Sequence, residues 1–261
     1  MNYVRPKKGL GQHFLRDKNI AAKIVRNLDV STTDNILEIG PGKGVLSQYL
    51  KELKDKQVKY IELDKESVDY LRSEFHGELD ILHADFLKTD LSSLFEGSFA
   101  VIGNFPYNIS SQIFFRILEY KHLVTGVVGM VQKEVAERIA SPPGSKNYGI
   151  LSVFLQAYYD IDYLFSVNPS VFEPPPKVKS AVIKLKRNGI RNLNCNEKLF
   201  FNLVKAGFNQ RRKILRNSLK SFLQEKDQEN ELLQKRPEQL GVDEFVRLTN
   251  WIDAYLKLKK H

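Results

Sequence analysis

From residue 35 onward the chain alternates short apolar runs with longer amphipathic ones. Residues 35–40 (Asn-Ile-Leu-Glu-Ile-Gly) read as a buried strand closed by glycine. Residues 45–53 read as a helix, with Val45, Leu46, Tyr49, Leu50 and Leu53 on one side. Further strands are expected at 58–63, 79–83, 99–103 and 126–131, with a helix at 65–75. Strands alternating with helices of about ten residues predict βαβ units and a mainly parallel sheet. Right-handed crossovers then gather the loops after the strands along one edge, where α/β sheets bind ligands.

Past Lys133 the pattern changes. A helix runs through Ala140 and ends in a polar loop with two prolines, Pro142 and Pro143. Residues 151–159 form a second helical run, and 178–186 alternate as a late antiparallel strand does. Pro174, Pro175 and Pro176 make 171–177 a stiff extended loop. The polar stretch 187–195 reads as a linker. Helices are expected beyond it at 197–208, 211–223 and 242–256, the last with Phe245, Leu248, Trp251, Ile252 and Tyr255 on one core stripe. The expected organisation is a sheet domain at 1–187 and a small all-helical domain at 188–261.

Composition narrows the class. A chain of 261 residues suits one large domain and a small partner. A hydrophobic share of 42% is globular rather than disordered. No apolar run approaches the ~18–20 residues of a membrane span. The first fifteen residues have no apolar region or small-residue cleavage site of a secretory signal. The single cysteine, Cys195, allows no internal disulfide and cannot anchor a zinc site alone. A reduced, cytoplasmic, metal-free protein is expected. The net charge of +9 favours a polyanionic partner, with nucleic acid the usual one.

Two loops carry candidate chemistry. Glu38-Ile39-Gly40-Pro41-Gly42-Lys43-Gly44 joins an expected strand to an expected helix. Its glycines let the backbone turn tightly and approach a ligand. Glu62 ends the next strand, where a carboxylate can accept from both hydroxyls of a ribose. The bland alternative is a plain tight turn. A dinucleotide loop needs G-x-G-x-x-G, and Val45 stands where its third glycine belongs, which counters a nicotinamide dehydrogenase. The G-x-G-x-G form after an acid looks like the first motif of class I S-adenosylmethionine-dependent methyltransferases. Asp85 ends the third expected strand, where it can accept from an adenine amine or stand as a solvated loop residue.

The fourth strand runs directly into Asn104-Phe105-Pro106-Tyr107. This tetrapeptide resembles the motif of enzymes that methylate exocyclic amines of nucleobases. The adenine N6 lone pair is delocalised into the ring. An Asn104 side-chain oxygen and a main-chain carbonyl that accept the N6 hydrogens favour a more tetrahedral nitrogen with its lone pair aimed outward. Pro106 stiffens the loop and leaves the carbonyl before it free. Tyr107 offers a stacking face, and Phe172 is the candidate for the opposite face, with a core role as its alternative. An ordinary Asn-initiated turn is the bland account of the tetrapeptide.

The chain as a whole resembles the bacterial small-subunit ribosomal RNA adenine dimethyltransferases, a family that also holds the macrolide-resistance rRNA methyltransferases. The likeness rests on Leu10-Gly11-Gln12-His13-Phe14-Leu15, the glycine loop, Ile61-Glu62-Leu63-Asp64, the tetrapeptide with Asn108, Ile109 and Ser110, Gln132-Lys133-Glu134, the segment 172–178 and Phe208-Asn209-Gln210-Arg211-Arg212-Lys213. It implies a Rossmann-like sheet domain with a helical RNA-recognition domain. It implies an S-adenosylmethionine site made by His13, Leu15, Gly40, Gly42, Glu62, Asp85 and Asn104, and a base site made by Asn104, Pro106, Tyr107 and Phe172. The implied product is N6,N6-dimethyladenosine at two adjacent adenosines in the 3′-terminal hairpin of small-subunit rRNA. Two residues depart from the common pattern: His13 stands where many members carry Asn, and Phe105 stands where Leu is common and adds ring volume beside the target site.

Arg211, Arg212, Lys213 and Arg216 are the candidate RNA contacts. Arg212, Lys213 and Arg216 are expected near one helical face, and Arg5, Lys7 and Lys8 extend the patch. A solvated helix face is the alternative. The expected partner is small-subunit rRNA or the assembling 30S particle, bound by a monomer. Competing functions are a large-subunit rRNA methyltransferase and a non-catalytic assembly or transcription factor, and the intact tetrapeptide argues against the second.

Overall fold

The computed structural model describes residues 4–223 and 230–258, without the side chain of Leu258. The chain divides into two compact units, Met1–Ala136 with Tyr159–Arg187 and Glu137–Tyr158 with Asn188–His261. One crossing falls at the expected boundary after residue 187. Residues 137–158, expected in the sheet domain, group instead with the helical unit. The reason is aromatic packing: Phe154 meets Phe201 edge-on at 4.5 Å, and Tyr148 lies 6.1 Å from Phe208.

The first unit opens with β1 (Phe14–Leu15) and α1 (Lys18–Arg26). Asp17 caps α1 by accepting from the N–H groups of Asn19 and Ile20. There follow β2 (Asn35–Ile39), α2 (Ser47–Leu50), β3 (Gln57–Glu62), α3 (Lys65–Glu74), β4 (Asp80–His83), β5 (Phe99–Asn104), α4 (Ser110–Glu119) and β6 (Val124–Gln132). Helix α5 (Lys133–Ala140) leaves the unit. The chain returns with β7 (Tyr159–Val167), β8 (Phe172–Glu173) and β9 (Ser180–Arg187). Seven strands form one sheet in the order β4-β3-β2-β5-β6-β9-β7. The pairs from β4 to β6 are parallel, and β9 is antiparallel to both β6 and β7. Central strands of such a sheet are covered on both faces, so they read as continuous apolar runs. Accordingly Phe99, Ala100, Val101 and Ile102 of β5 are fully buried. Ile24 of α1, Leu50 of α2 and Leu71 of α3 pack with Tyr60 and Ile102 in one core cluster.

Three expectations about this unit change. The helix expected at 45–53 is only α2, because residues 42–46 are taken up by turns of the glycine loop. Residues 157–159 do not continue a helix: Tyr159 begins β7, an edge strand whose Asp160 and Asp162 stand opposite Lys186 and Lys184. The expected loop at 171–177 includes β8, which pairs with β1 through Phe14 opposite Glu173 and Leu15 opposite Phe172.

The helical unit contains α6 (Ile150–Gln156), α7 (Glu197–Asn209), α8 (Leu215–Ser218) and α9 (Val242–Leu258). Phe200, Leu203, Val204, Phe245, Leu248 and Ile252 form its interior. Trp251 and Tyr255 of the expected core stripe are only half-buried and stack at 6.4 Å. The helix expected over 211–223 does not form. The chain turns through 211–213, makes the single turn of α8 and continues as a 3-10 turn at Lys220–Phe222. The N–H of Leu215 bonds to the carbonyl of Lys235, outside any helical register.

Candidate active site

The loops after β2, β3, β4 and β5 surround a cavity of ≈ 180 Å³, and residues 10–14 close it. This is the carboxyl edge of the parallel strands, where a ligand belongs in a doubly wound sheet. Gly40, Gly42 and Gly44 all have positive φ, of 64°, 56° and 77°. At Gly42 an added Cβ would lie 2.8 Å from the Phe14 ring, so both conformation and space require glycine there. The carboxylate of Glu62 accepts from the N–H of Gly42 at 3.1 Å and of Asp64 at 2.9 Å. It thereby ties the glycine loop to the end of β3. Glu62 lines the cavity and burial raises its pKa. Asp85 lines it too, with one oxygen accepting from the N–H of Leu87 at 2.9 Å. Ile39, Ile61, Leu63, Phe86 and Ile109 supply apolar walls that the motifs alone did not reveal.

Glu38 is 1% exposed and accepts from Ser47 Oγ at 2.7 Å. Burial pushes its pKa up to about 8, against the lowering effect of the Ser47 bond. Glu38 lines a narrow recess beside Leu15 rather than the main cavity.

At the end of β5 the side-chain amide nitrogen of Asn104 donates to the main-chain carbonyl of His13 at 2.8 Å. Its Oδ1 is left as an acceptor. Pro106 and Tyr107 follow on the same wall. The Tyr107 hydroxyl bonds to Ser180 Oγ, and burial raises its pKa. The His13 imidazole stacks on Tyr107, with centroids 5.2 Å apart and planes at 29°. His13 Nδ1 lies 2.7 Å from the carbonyl oxygen of Pro174. A carbonyl only accepts, so Nδ1 is the donor in this contact.

Two further aromatic residues are buried. Phe172 is 2% exposed and packs in the core with Leu15 and Val167, because β8 pairs it against β1. It is absent from the cavity wall and presents no open face. Phe105 is fully buried, with its ring over Gly103 and Gly129 and edge-on to Phe114 at 5.7 Å. Phe105 also lines the main cavity, and the glycines of β5 and β6 make room for its ring.

The segment closing the cavity is held by residues that sequence reasoning assigned elsewhere. Lys7 was expected as an RNA contact, but its ammonium pairs with Asp64, which raises its pKa, and with Glu66 at 3.2 Å. Gln12 Nε2 donates to Asp64 at 3.3 Å, and Gln12 Oε1 accepts from the Lys7 N–H. Asp64 also caps α3 by accepting from the N–H of Glu66 at 3.4 Å, and its other oxygen accepts from Ser67 Oγ at 3.0 Å.

The basic candidates belong to the helical unit. Arg212, Lys213 and Arg216 are exposed, but they lie on a turn and on α8 rather than on one helical face. Arg211 differs from them: its guanidinium donates to the carbonyls of Lys146 at 2.6 Å and Ser145 at 3.3 Å. Among the described residues no helix is long and apolar enough to cross a membrane, and no group of three or more His, Cys, Asp or Glu residues could hold a metal ion.

The family model described as ribosomal RNA adenine dimethylase matches residues 4–254. The chain belongs to that family. A Ribosomal RNA small subunit methyltransferase A of Phocaeicola vulgatus is 56% identical over 99% of this chain and 94% of its own length. One from Cytophaga hutchinsonii is 53% identical over 97% of this chain and 100% of its own length. Among solved structures, a dimethyladenosine transferase from Plasmodium falciparum superposes with a TM-score of 0.77, at 26% identity over 93% of this chain and 98% of that one. The 23S rRNA methyltransferase ErmE gives 0.67, at 26% identity over 92% and 99%. The sheet unit is thus the α/β fold of class I S-adenosylmethionine-dependent methyltransferases, and the chain is an enzyme of the rRNA dimethylase family.

Proposed function

We propose that the chain transfers methyl groups from S-adenosylmethionine to N6 of two adjacent adenosines in the 3′-terminal hairpin of small-subunit rRNA, giving N6,N6-dimethyladenosines during subunit assembly in the cytoplasm. One observation carries the reading. The amide nitrogen of Asn104 is held by the His13 carbonyl, so the oxygen is what remains to accept from an amine in the cavity.

The residues present fit the cofactor. Gly40 lines the cavity, and a Cβ built there meets nothing within 4 Å, so its backbone is open to close approach. Glu62 is a buried carboxylate on the wall, suited to ribose hydroxyls, and Asp85, whose second oxygen lies 3.7 Å from the exposed Lys88 ammonium, is an acceptor for an adenine amine. His13, Leu15 and Gly42 belong to the segments that frame these groups. When bound, S-adenosylmethionine supplies a methyl group on a positively charged sulfur that is itself a good leaving group.

The chain's own part is orientation. Asn104 Oδ1 and the main-chain carbonyl before Pro106 accept the two N6 hydrogens and aim the nitrogen lone pair. For the second transfer a monomethylated amine keeps one hydrogen, enough for one of these acceptors. Tyr107, anchored at its hydroxyl by Ser180, supplies the stacking ring. No basic side chain is required, because the methylated nitrogen loses its proton readily to water. Rate enhancement then comes from proximity and alignment.

Small-subunit relatives at 53–56% identity favour that substrate over large-subunit RNA. In the helical unit Arg212, Lys213 and Arg216 would meet RNA phosphates of the assembling 30S particle, with the enzyme acting as a monomer. The test is nucleoside mass spectrometry of naked and ribosome-bound RNA from a strain lacking the modification, after incubation with enzyme and S-adenosylmethionine. Dimethyladenosine should appear in small-subunit rRNA, and Asn104→Ala should bind RNA yet yield none at saturating S-adenosylmethionine. Label in large-subunit RNA, or product from Asn104→Ala, overturns the assignment.

A further inference from the structure

We propose that His13 is a placeholder for the target base: before RNA binds, its imidazole holds the face of Tyr107 on which the adenine stacks, and the adenine takes that face by displacing it. The inference rests on the adenine-methylation reading above and names a specificity element within that site.

Four observations lead to it. The His13 and Tyr107 rings stack at 5.2 Å and 29°, inside the cavity that also holds Asn104. An imidazole is the five-membered half of a purine, so the ring lying on Tyr107 has part of the shape of the base expected there. Tyr107 is fastened to Ser180 through its hydroxyl, which restrains it from turning to offer its ring elsewhere. Phe172, the other aromatic assigned to the base, is buried at 2% exposure and offers no alternative platform.

The local bonding lets the ring leave without dismantling the site. The hydrogen bond between His13 and Asn104 is made by the His13 main-chain carbonyl, at 2.8 Å, and not by its ring. A rotation of the His13 side chain therefore leaves Asn104 Oδ1 where it is. The imidazole gives up its stack and its Nδ1 hydrogen bond to the Pro174 carbonyl at 2.7 Å. Base entry must compete with both. His13 is thus a positioning residue: it sets how readily a base reaches Tyr107 and takes no part in methyl transfer. An Asn at this position would keep a side-chain donor for the Pro174 carbonyl and lack the ring.

The test is steady-state methylation of small-subunit particles that lack dimethyladenosine, at saturating S-adenosylmethionine, with wild type, His13→Ala and His13→Asn. Relief of the stack should lower KM for the particle by about two- to tenfold in both variants and raise kcat/KM, whereas mere structural damage lowers kcat/KM. His13→Asn decides the matter if His13→Ala folds poorly. An unchanged KM makes the ring a bystander, and a raised KM makes it a wall of the base slot; either overturns the proposal. A fall in His13→Ala alone also overturns it, because the Pro174 bond rather than the stack would then be the barrier. Failure of the wild type to methylate the particle refutes the underlying reading instead.

Discussion

Gly129→Ala is the substitution whose consequence can be worked furthest. Gly103 of β5 and Gly129 of β6 are register partners, and the Phe105 ring lies across both. An alanine Cβ at 129 would sit 2.5 Å from Phe105 Cε2, with two further ring atoms at 3.1 Å. The ring is fully buried and Phe114 stands edge-on to it, so it can yield only by moving its own backbone. Overpacking of this kind costs about 1–3 kcal/mol. The backbone that must move lies between Asn104 and Pro106, so the acceptor oxygen moves with it, and a misplacement near 1 Å costs on the order of a hundredfold in rate. Phe105→Leu introduced with Gly129→Ala should restore most of both losses, a coupling of about 1–2 kcal/mol. Gly103→Ala is the control. There the nearest obstacle is the main-chain oxygen of Ile39 at 2.6 Å, which no change at 105 removes. Denaturant midpoints at constant slope report stability, and single-turnover transfer reports geometry. The reasoning fails if Gly129→Ala is as stable and active as wild type, or if Phe105→Leu rescues Gly103→Ala equally well.

Glu38 holds its proton to about pH 8 when folded, against an ordinary 4.5. Its contribution is fully present below pH 4.5 and falls by up to about 1.4 kcal/mol per pH unit between there and pH 8, because only the unfolded chain ionises it. Glu38→Gln should flatten that part of the stability profile, and an unchanged slope in urea titrations at pH 5–8 contradicts the assignment. Glu62→Gln turns an acceptor into a donor facing the N–H of Gly42 or Asp64, so it should lose about 1–3 kcal/mol of stability and weaken S-adenosylmethionine binding more than tenfold by calorimetry. A dissociation constant within twofold of wild type refutes that role. Arg211→Ala should lower the melting temperature by freeing the Ser145 and Lys146 carbonyls. Arg212→Ala should leave melting unchanged and reduce the salt dependence of RNA binding by about one ion. Exchanged outcomes for these two arginines count against both assignments.

The parallel half of the sheet was legible because its strands are buried on both faces and are punctuated by glycines. Strand β7 was missed entirely: it alternates through Tyr159, Ile161 and Tyr163, but the register shift between Tyr163 and Phe165 breaks the alternation, and its start was read as the end of a helix. The expected helix at 211–223 had the right apolar spacing. Its buried Leu215 and Leu219 are nonetheless placed by contacts far along the chain, including the Lys235 carbonyl, rather than by continuous helical hydrogen bonding. Phe172 shows a different limit. An aromatic before a proline run serves equally as a platform or as a plug, and its partner Leu15 is brought to it only by the fold.

The closing segment makes the same point through chemistry. Glu62 was readable as a candidate ribose acid from its place after a strand. Nothing local marked that it also fixes the N–H groups of Gly42 and Asp64, or that Asp64 in turn holds Lys7 and Gln12. From Gln12 the chain passes directly to His13, whose carbonyl fixes Asn104. Glycine loop, acid, closing segment and reactive amide are therefore joined by successive hydrogen bonds and one peptide link. The side-chain amide of Asn104 is held by the same segment that lines the cavity at residues 10–14, so under the proposed function the groups that would orient the amine and those that would frame the cofactor are fixed together.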